Sequence, residues 1–193
     1  MDRKDNMNSF YSEDELKGLG LAHYGYNVLI SKKASIYGAE KISIGNNVRI
    51  DDFCVLSGII SMGNNIHIAA YSALFAGEAS ITIDDFANVS SRVCIYAISD
   101  DYSGETMTNP TIPEKYKHLT KLTVHICRHV IIGSGSTVLP GVTLEEGTVI
   151  GAMSLCKRST KAWMIYAGIP AQIIKERKKD LLELEKEYLN ERN

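Results

Sequence analysis

Along this chain the long aliphatic residues return at every sixth position. Ile44, Ile50, Leu56, Met62, Ile68 and Leu74 form one run, and Ile126, Ile132, Val138, Leu144 and Ile150 form another. A period of six fits neither the 3.6-residue turn of a helix nor simple strand alternation, which would not single out every third inward position. Small or β-branched residues stand two positions before the aliphatic at Val48, Cys54, Ser72, Ser136, Val142 and Thr148. Glycine follows it at Ile44-Gly45 and Met62-Gly63, and again at Ile132-Gly133 and Ile150-Gly151, eighteen residues apart within each pair. Three sixes make one turn.

The pattern predicts an all-β solenoid of triangular coils: three short flat faces, a long aliphatic pointing inward from each, and tight corners where small residues tolerate unusual backbone angles. Coils stacked at about 4.8 Å bury one another's aliphatic rows. A single coil has nothing to bury its own row against, so several are needed for a stable stack. The period opens at Val28 with Ile30, Ile36 and Ile42. Two extra residues move it to Ile44, and an insertion at 76–80 moves it to Ile83, Val89 and Ile95. Such insertions are expected to bulge outward at corners, where their backbone reaches water.

Flanking elements complete the expected organisation. Residues 1–27 read as an N-terminal segment, loose at 1–11. There Ser12-Glu13-Asp14-Glu15-Leu16 has the form of a capping box and predicts a short helix to about Leu19, placed to cover the open end of the coil. The solenoid occupies 28–165. Residues 98–122 carry prolines, a glycine and no period, so they leave the coil as a long loop, and such loops are usually functional. Residues 166–193 read as a turn and a C-terminal helix from about Ala171 to Glu191, with Lys175, Arg177, Lys178 and Lys179 crowding its first half.

At 193 residues and 45% hydrophobic content the chain has enough material for one continuous core. A net charge of −2 offers no general attraction to nucleic acid or to an anionic membrane. Cys54, Cys94, Cys127 and Cys156 are far apart in sequence, and Cys54 and Cys156 occupy small inward positions, so they read as buried thiols and no metal is implied. No apolar leader stands at the N-terminus and no apolar run is long enough to cross a bilayer, so the protein is expected in the cytosol.

Three features then converge: the hexapeptide repeat, the loop thrown out of it, and the closing Ala167-Gly168-Ile169-Pro170-Ala171 segment. Together they resemble the left-handed β-helix acyltransferases, over nearly the whole chain. Within that family the chain is most similar to nucleotide-amino-sugar N-acyltransferases of the anthrose-pathway type and to sugar O-acetyltransferases of polysaccharide clusters. The resemblance implies a homotrimer, with acetyl-CoA or another acyl-CoA in the groove between adjacent coils and the acceptor sugar near the loop. Gly133, Gly135, Ser136, Gly151, Ala152, Met153, Gly168 and Pro170 are then expected along the coenzyme. Lys157, Lys175 and Arg177, with Arg158, are the basic residues nearest the end of the coil for its phosphates. The same glycines also serve corner geometry.

In many relatives a histidine opens the loop as general base, and counting hexads through Ile95 puts Asp100 at that position. A sugar hydroxyl needs a strong base, whereas an amine freed of its extra proton is already nucleophilic and needs only a carboxylate to orient it and accept a proton. Asp100 therefore favours N-acylation. Ser90, on the preceding corner, is expected to hold the amine, with a backbone N–H facing the developing oxyanion. Glu78, Tyr96, Ser99, Asp101, Tyr102 and His67 are expected around the acceptor, while Asp100 and Asp101 also suit a plain loop cap. His67, His118, His125 and His129 stay open as alternative bases.

The leading expectation is transfer from acyl-CoA to the amino group of a nucleotide-linked sugar such as dTDP-4-amino-4,6-dideoxyglucose, serving O-antigen or another surface polysaccharide. Galactoside-type O-acetylation is the alternative, and a non-catalytic trimeric scaffold a third reading, which the basic cluster and the elaborate loop disfavour.

Overall fold

The computed structural model describes residues 9–191. The chain winds through three parallel faces. Ser35–Tyr37, the first part of Val55–Met62, the first part of Ala73–Ile83, Cys94–Tyr96, Thr137–Val138 and Leu155–Cys156 form the first face. His23–Tyr24, Ile42–Ile44, the later parts of the two long strands, Val124–Ile126 and Thr143–Leu144 form the second. The third runs from Val28–Ile30 through Val48–Ile50, Ile66–Ile68, Asn88–Val89, Ile131–Ile132 and Val149–Ile150 to Met164–Ala167.

The register explains the eighteen-residue spacing. Ile44 pairs with Met62, Ile50 with Ile68, Leu56 with Leu74, and Ile132 with Ile150, each residue lying directly over its counterpart one coil away. Every member of both aliphatic runs is buried. The inward column is thus a continuous apolar row closed on three sides.

All three insertions fall on the corner between the first and second faces. Gly38 in the left-handed region and the 3-10 turn Ala39–Lys41 occupy it in one coil, Gly77 to Ala79 in a later coil, and the long loop in the next. The loop leaves and returns through an antiparallel pair, Ile98–Ser99 against Thr120–Lys121, and holds a 3-10 turn at Glu114–Tyr116. The insertions therefore build one ridge along a single edge.

At the N-terminal end helix α1, Glu13–Gly18, begins with the expected capping box. The Glu15 amide donates to Ser12 Oγ at 3.3 Å, and Glu15 Oε2 accepts from the Ser12 amide at 2.8 Å. Leu16 is buried against the coil. Of the expected loose start, residues 1–8 lie outside the described residues. Residues 9–11 are docked, the Tyr11 amide donating to Ile30 O at 2.9 Å.

Two boundaries differ from the sequence reading. The coil opens earlier, because His23–Tyr24 already pairs with Ser43 and Ile44. The C-terminal helix is shorter: Gln172–Glu176 is a strand, antiparallel to Met164–Ala167, and helix α2 spans only Leu181–Asn190. Ile173 and Ile174 are β-branched, and the last coil offers an unpaired strand edge. Ladder hydrogen bonds at that edge outweigh a weak helical preference.

Candidate active site

The corner between the third and first faces stacks, coil upon coil, into one column. Its outermost residues, Phe53, Tyr71, Arg92, Gly135 and Met153, all adopt positive φ, between 56° and 72°. The last four are each tied to the coil before: the Tyr71 amide donates to Asp52 O at 3.1 Å, Arg92 to Ala70 O at 3.1 Å, Gly135 to Ser91 O at 3.1 Å and Met153 to Ser134 O at 2.9 Å. Ser90 belongs to this column. Its amide donates to Ile132 O at 2.9 Å, and its hydroxyl makes no hydrogen bond among the described residues.

The residues expected along the coenzyme share the same column. Gly133, Gly135 and Ser136 lie one coil beyond Ser90, Gly151, Ala152 and Met153 one further, and Gly168 and Pro170 last. Ser136 and Ser154 face inward and bridge these coils: Ser136 Oγ donates to Gly151 O at 3.0 Å, and Ser154 Oγ donates to Gly151 O at 2.7 Å and accepts from the Gly168 amide at 3.1 Å. Ala152, Met153, Gly168 and Pro170 are exposed, and of these Met153 alone presents a long side chain at the outer rim, 67% exposed and lying over Gly135. Lys157 and Arg158 flank a hollow of about 260 Å³ beside Pro170.

Asp100 lies at the other edge of the first face. It lines a cleft of about 530 Å³ with Tyr96, Ser99, Tyr102, Asn109 and Lys117. Asp100 Oδ1 accepts from the Asn109 amide at 3.3 Å, and Oδ2 has no hydrogen bond among the described residues, which leaves one carboxylate oxygen open to the cleft. Tyr96 stacks on Phe75 at 5.2 Å, and burial pushes its hydroxyl pKa up. Tyr102 is 93% exposed. Asp101 is engaged inside the loop, accepting from the Ser103 amide at 2.8 Å, the Thr106 amide at 3.0 Å and Thr106 Oγ1 at 3.1 Å. Those donors, Ser103 first, lower its pKa to about 2. It therefore shapes the loop beneath Asp100.

Ser90 and Asp100 thus stand at opposite ends of one face, with Cys94–Tyr96 between them. Other expected site residues are drawn elsewhere. Glu78 is ion-paired with Lys121, clamping the insertion to the loop base. His67 sits on the third face, its Nε2 2.8 Å from Asp51 Oδ2, and is remote from the cleft within one chain. His125 pairs with Asp84 at 2.8 Å on the second face, and Cys127 lies near enough that the three ligand atoms fall within 4.8 Å of one another. His129 is buried and pairs with Glu185 at 2.8 Å. His118 stands on the loop, exposed. Asn109, Lys117, Thr137 and Leu139 complete the cleft and carried no sequence signal, because the loop has no period and Thr137 meets Cys94 only through strand pairing.

Lys175 is exposed on the terminal strand. Arg177 is not available to a phosphate. It donates to His129 O at 2.6 Å and Gly147 O at 3.0 Å, and lies over the Trp163 ring. Its half-buried guanidinium locks the terminal strand to the coil. Arg177→Ala is expected to destabilise the fold by about 2 kcal/mol, because two part-buried carbonyls lose a charged donor. Thermal unfolding checks this, with KM for acyl-CoA unchanged; a raised KM at unaltered stability would return Arg177 to the coenzyme site.

Residues 123–158 match the family described as bacterial transferase hexapeptide (six repeats). The dTDP-4-amino-4,6-dideoxy-D-glucose acyltransferase of Escherichia coli is 52% identical over 180 residues, covering 92% of this chain and 93% of its own. The chain belongs to the hexapeptide-repeat acyltransferases. Among solved structures of such acyltransferases, a serine-to-cysteine variant of AntD, an N-acyltransferase from Bacillus cereus, in complex with dTDP-4-amino-4,6-dideoxyglucose and coenzyme A, is 53% identical. It superimposes with a TM-score of 0.94 over 96% of this chain and 100% of its own. AntD has also been solved with dTDP and 3-hydroxybutyryl-CoA. Its solved variants replace one serine by cysteine, threonine or alanine, and an aspartate ten residues further on by alanine or asparagine. Galactoside O-acetyltransferase of Escherichia coli K12 is a more distant acyltransferase, 25% identical over 76% of this chain and 70% of its own. The triangular coil that the hexad period predicted is the left-handed β-helix that the family resemblance implied.

Proposed function

We propose that this protein transfers an acyl group from acyl-CoA to the 4-amino group of dTDP-4-amino-4,6-dideoxyglucose or a closely similar nucleotide-linked amino sugar. The observation that carries this reading is the pairing of Ser90 with Asp100. They are ten residues apart, as are the serine and aspartate varied in AntD, in a chain that matches AntD along nearly its full length. Ser90 orients the amine, and its nitrogen attacks the thioester carbonyl. The nitrogen's proton passes to Asp100 as the C–N bond forms, the C–S bond breaks, and the coenzyme leaves as a thiol once protonated. The open Oδ2 of Asp100 supports that role.

One face separates Ser90 from Asp100 in a single chain, so a common site requires the Ser90 column of one copy to meet the loop edge of another. That requirement supports a closed ring of copies, and a homotrimer satisfies it on a three-faced coil. Acyl-CoA then lies along the glycine column towards Lys157, with the acceptor at the Asp100 cleft. The product is suited to O-antigen or another surface polysaccharide. Cytoplasmic placement agrees with the free cysteines and with the finding that no helix among the described residues is long and apolar enough to cross a membrane.

The test is acyl transfer followed by thiol release, with dTDP-4-amino-4,6-dideoxyglucose and its 4-hydroxy counterpart as parallel acceptors, and acetyl-CoA and 3-hydroxybutyryl-CoA as parallel donors. Transfer to the amine alone is expected. Comparable transfer to the hydroxyl sugar would favour O-acetylation and reopen the search for a base among the histidines, three of which are held by Asp51, Asp84 and Glu185.

A further inference from the structure

The end of the second face nearest the third holds a group of side chains that the reaction does not use. Ile83, Ile126 and Leu144 pair in register in successive coils, so the residues that follow them, Asp84, Cys127 and Glu145, stack in one outward column. His125 stands two residues before Cys127 and so points to the same side. Its Nε2 lies 2.8 Å from Asp84 Oδ2, and with Cys127 Sγ the three ligand atoms fall within 4.8 Å of one another. Spacing along the chain gives no sign of the group, since Asp84 stands 41 residues before His125 with the long loop between them.

The negative charge around this group lacks a cation. Arg128, at the neighbouring corner, is taken up by Asp85 and Glu185. Among the described residues no Lys or Arg pairs with Asp84, Glu145 or Glu146. Burial, followed by the carboxylates of Glu145, Asp84 and Glu146, pushes the Cys127 thiol up to about 11. A thiol so protonated is no nucleophile at neutral pH, which removes a Cys-His-Asp catalytic reading. A carboxylate, an imidazole and a thiol converging without a counter-charge are instead the donor set of a borderline-soft divalent ion. The His125 and Asp84 side chains are 40% and 41% exposed, so an ion has a path in from solvent.

We propose that Asp84, His125 and Cys127 form a zinc site, with the fourth position left to water or to Glu145 of the coil beyond. Zinc bonds of about 2.0–2.3 Å in a tetrahedron hold ligand atoms about 3.3–3.8 Å apart, so an adjustment of about 1 Å in the side chains closes the site. The thiol gives up its proton to solvent as the Zn–S bond forms, and the ion replaces the hydrogen shared by His125 and Asp84. The role is structural. Asp84 belongs to the coil before the long loop, and His125 and Cys127 to the coil after it, so the ion ties the two together where the ladder resumes. The site lies off both edges of the first face, where Ser90 and Asp100 stand, and takes no part in acyl transfer.

The experiment strips the full chain with a chelator and titrates it with zinc chloride by calorimetry and with cobalt(II) by absorption, for the wild type, Cys127→Ser, His125→Ala and Cys94→Ser. The wild type is expected to bind one zinc per chain with Kd below about 1 μM, and to gain roughly 5–10 °C in unfolding temperature at about a hundredfold excess of zinc over Kd. Its cobalt form should show a thiolate-to-metal charge-transfer band, an observation that needs no variant. Cys127→Ser should lose that band. Both Cys127→Ser and His125→Ala should weaken zinc by more than about a hundredfold, beyond the cost of losing a residue that only supports a ligand. Cys94→Ser, altered on the first face, should bind as the wild type does, and wild-type kcat should be the same with and without zinc. Wild type that binds zinc more weakly than about 1 μM, gives no thiolate band, or keeps its affinity in Cys127→Ser would overturn the site. A kcat that falls on stripping, at a temperature where the stripped protein stays folded, would overturn its structural role.

Discussion

Asp100→Asn is expected to lower kcat for acyl transfer by about a hundredfold or more, within the range that general acid–base groups contribute. The amide keeps the shape of the carboxylate and can still accept from the Asn109 amide, so the loop base should hold. It cannot take up the proton that the attacking amine must lose. KM for acyl-CoA is expected to stay close to wild type, because the glycine column lies at the other edge of the face and Asp100 does not contribute to it within a chain. Steady-state kinetics with thiol detection read both parameters. A variant within threefold of wild type in kcat would take the carboxylate out of the reaction and leave it as a loop cap. Because Asp101 already caps the loop with three hydrogen bonds, Asp101→Asn should instead disturb the loop and affect binding of the acceptor.

The second large effect is on stability. Gly58 has φ of 91° where Val55–Met62 is irregularly paired with Ala73–Ile83, opposite Gly77. A Cβ there would fall 2.3 Å from both the backbone N and O of Gly77. Neither coil can retreat, since their separation is fixed by parallel ladders on both sides of the bulge. Gly58→Ala combines that collision with a disfavoured φ, and is expected to cost on the order of 3 kcal/mol. In a chain of this size that lowers Tm by roughly 10 °C. Gly104→Ala is the control: its φ is also positive, at 86°, yet no atom lies within 4 Å, so only the backbone preference is lost. Differential scanning calorimetry distinguishes the two, and equal Tm losses would mean that backbone strain alone, without the collision, explains Gly58.

The coil was legible in the sequence because each of its constraints repeats. An inward aliphatic at every sixth position leaves a periodic trace whether or not the neighbouring coil is known, and the eighteen-residue glycine spacing is the vertical register itself, as Ile44 over Met62 and Ile132 over Ile150 demonstrate. The capping box at Ser12 and Glu15 was equally legible, being a bond between residues three apart. Neighbourhood that depends on the end of a sheet was not. Ile173 and Ile174 became strand because the last coil exposed an edge, and no local pattern announces an edge. Arg177 read as a surface cation, and packing turned it into a bond to two carbonyls.

The sequence by itself determined the period, hence the solenoid, the place where the long loop leaves it, and the aspartate that stands at the loop entrance. Those are properties of spacing along the chain, and spacing is conserved when the chain winds. Which edge each residue occupies was decided only by the tertiary structure. Ser90 joined the glycine column and Asp100 the opposite ridge because three corners and one insertion set the phase between them. The meeting of Asp84 with His125 and Cys127 was hidden for the same reason: residues 41 apart become neighbours only when one coil is laid on the next.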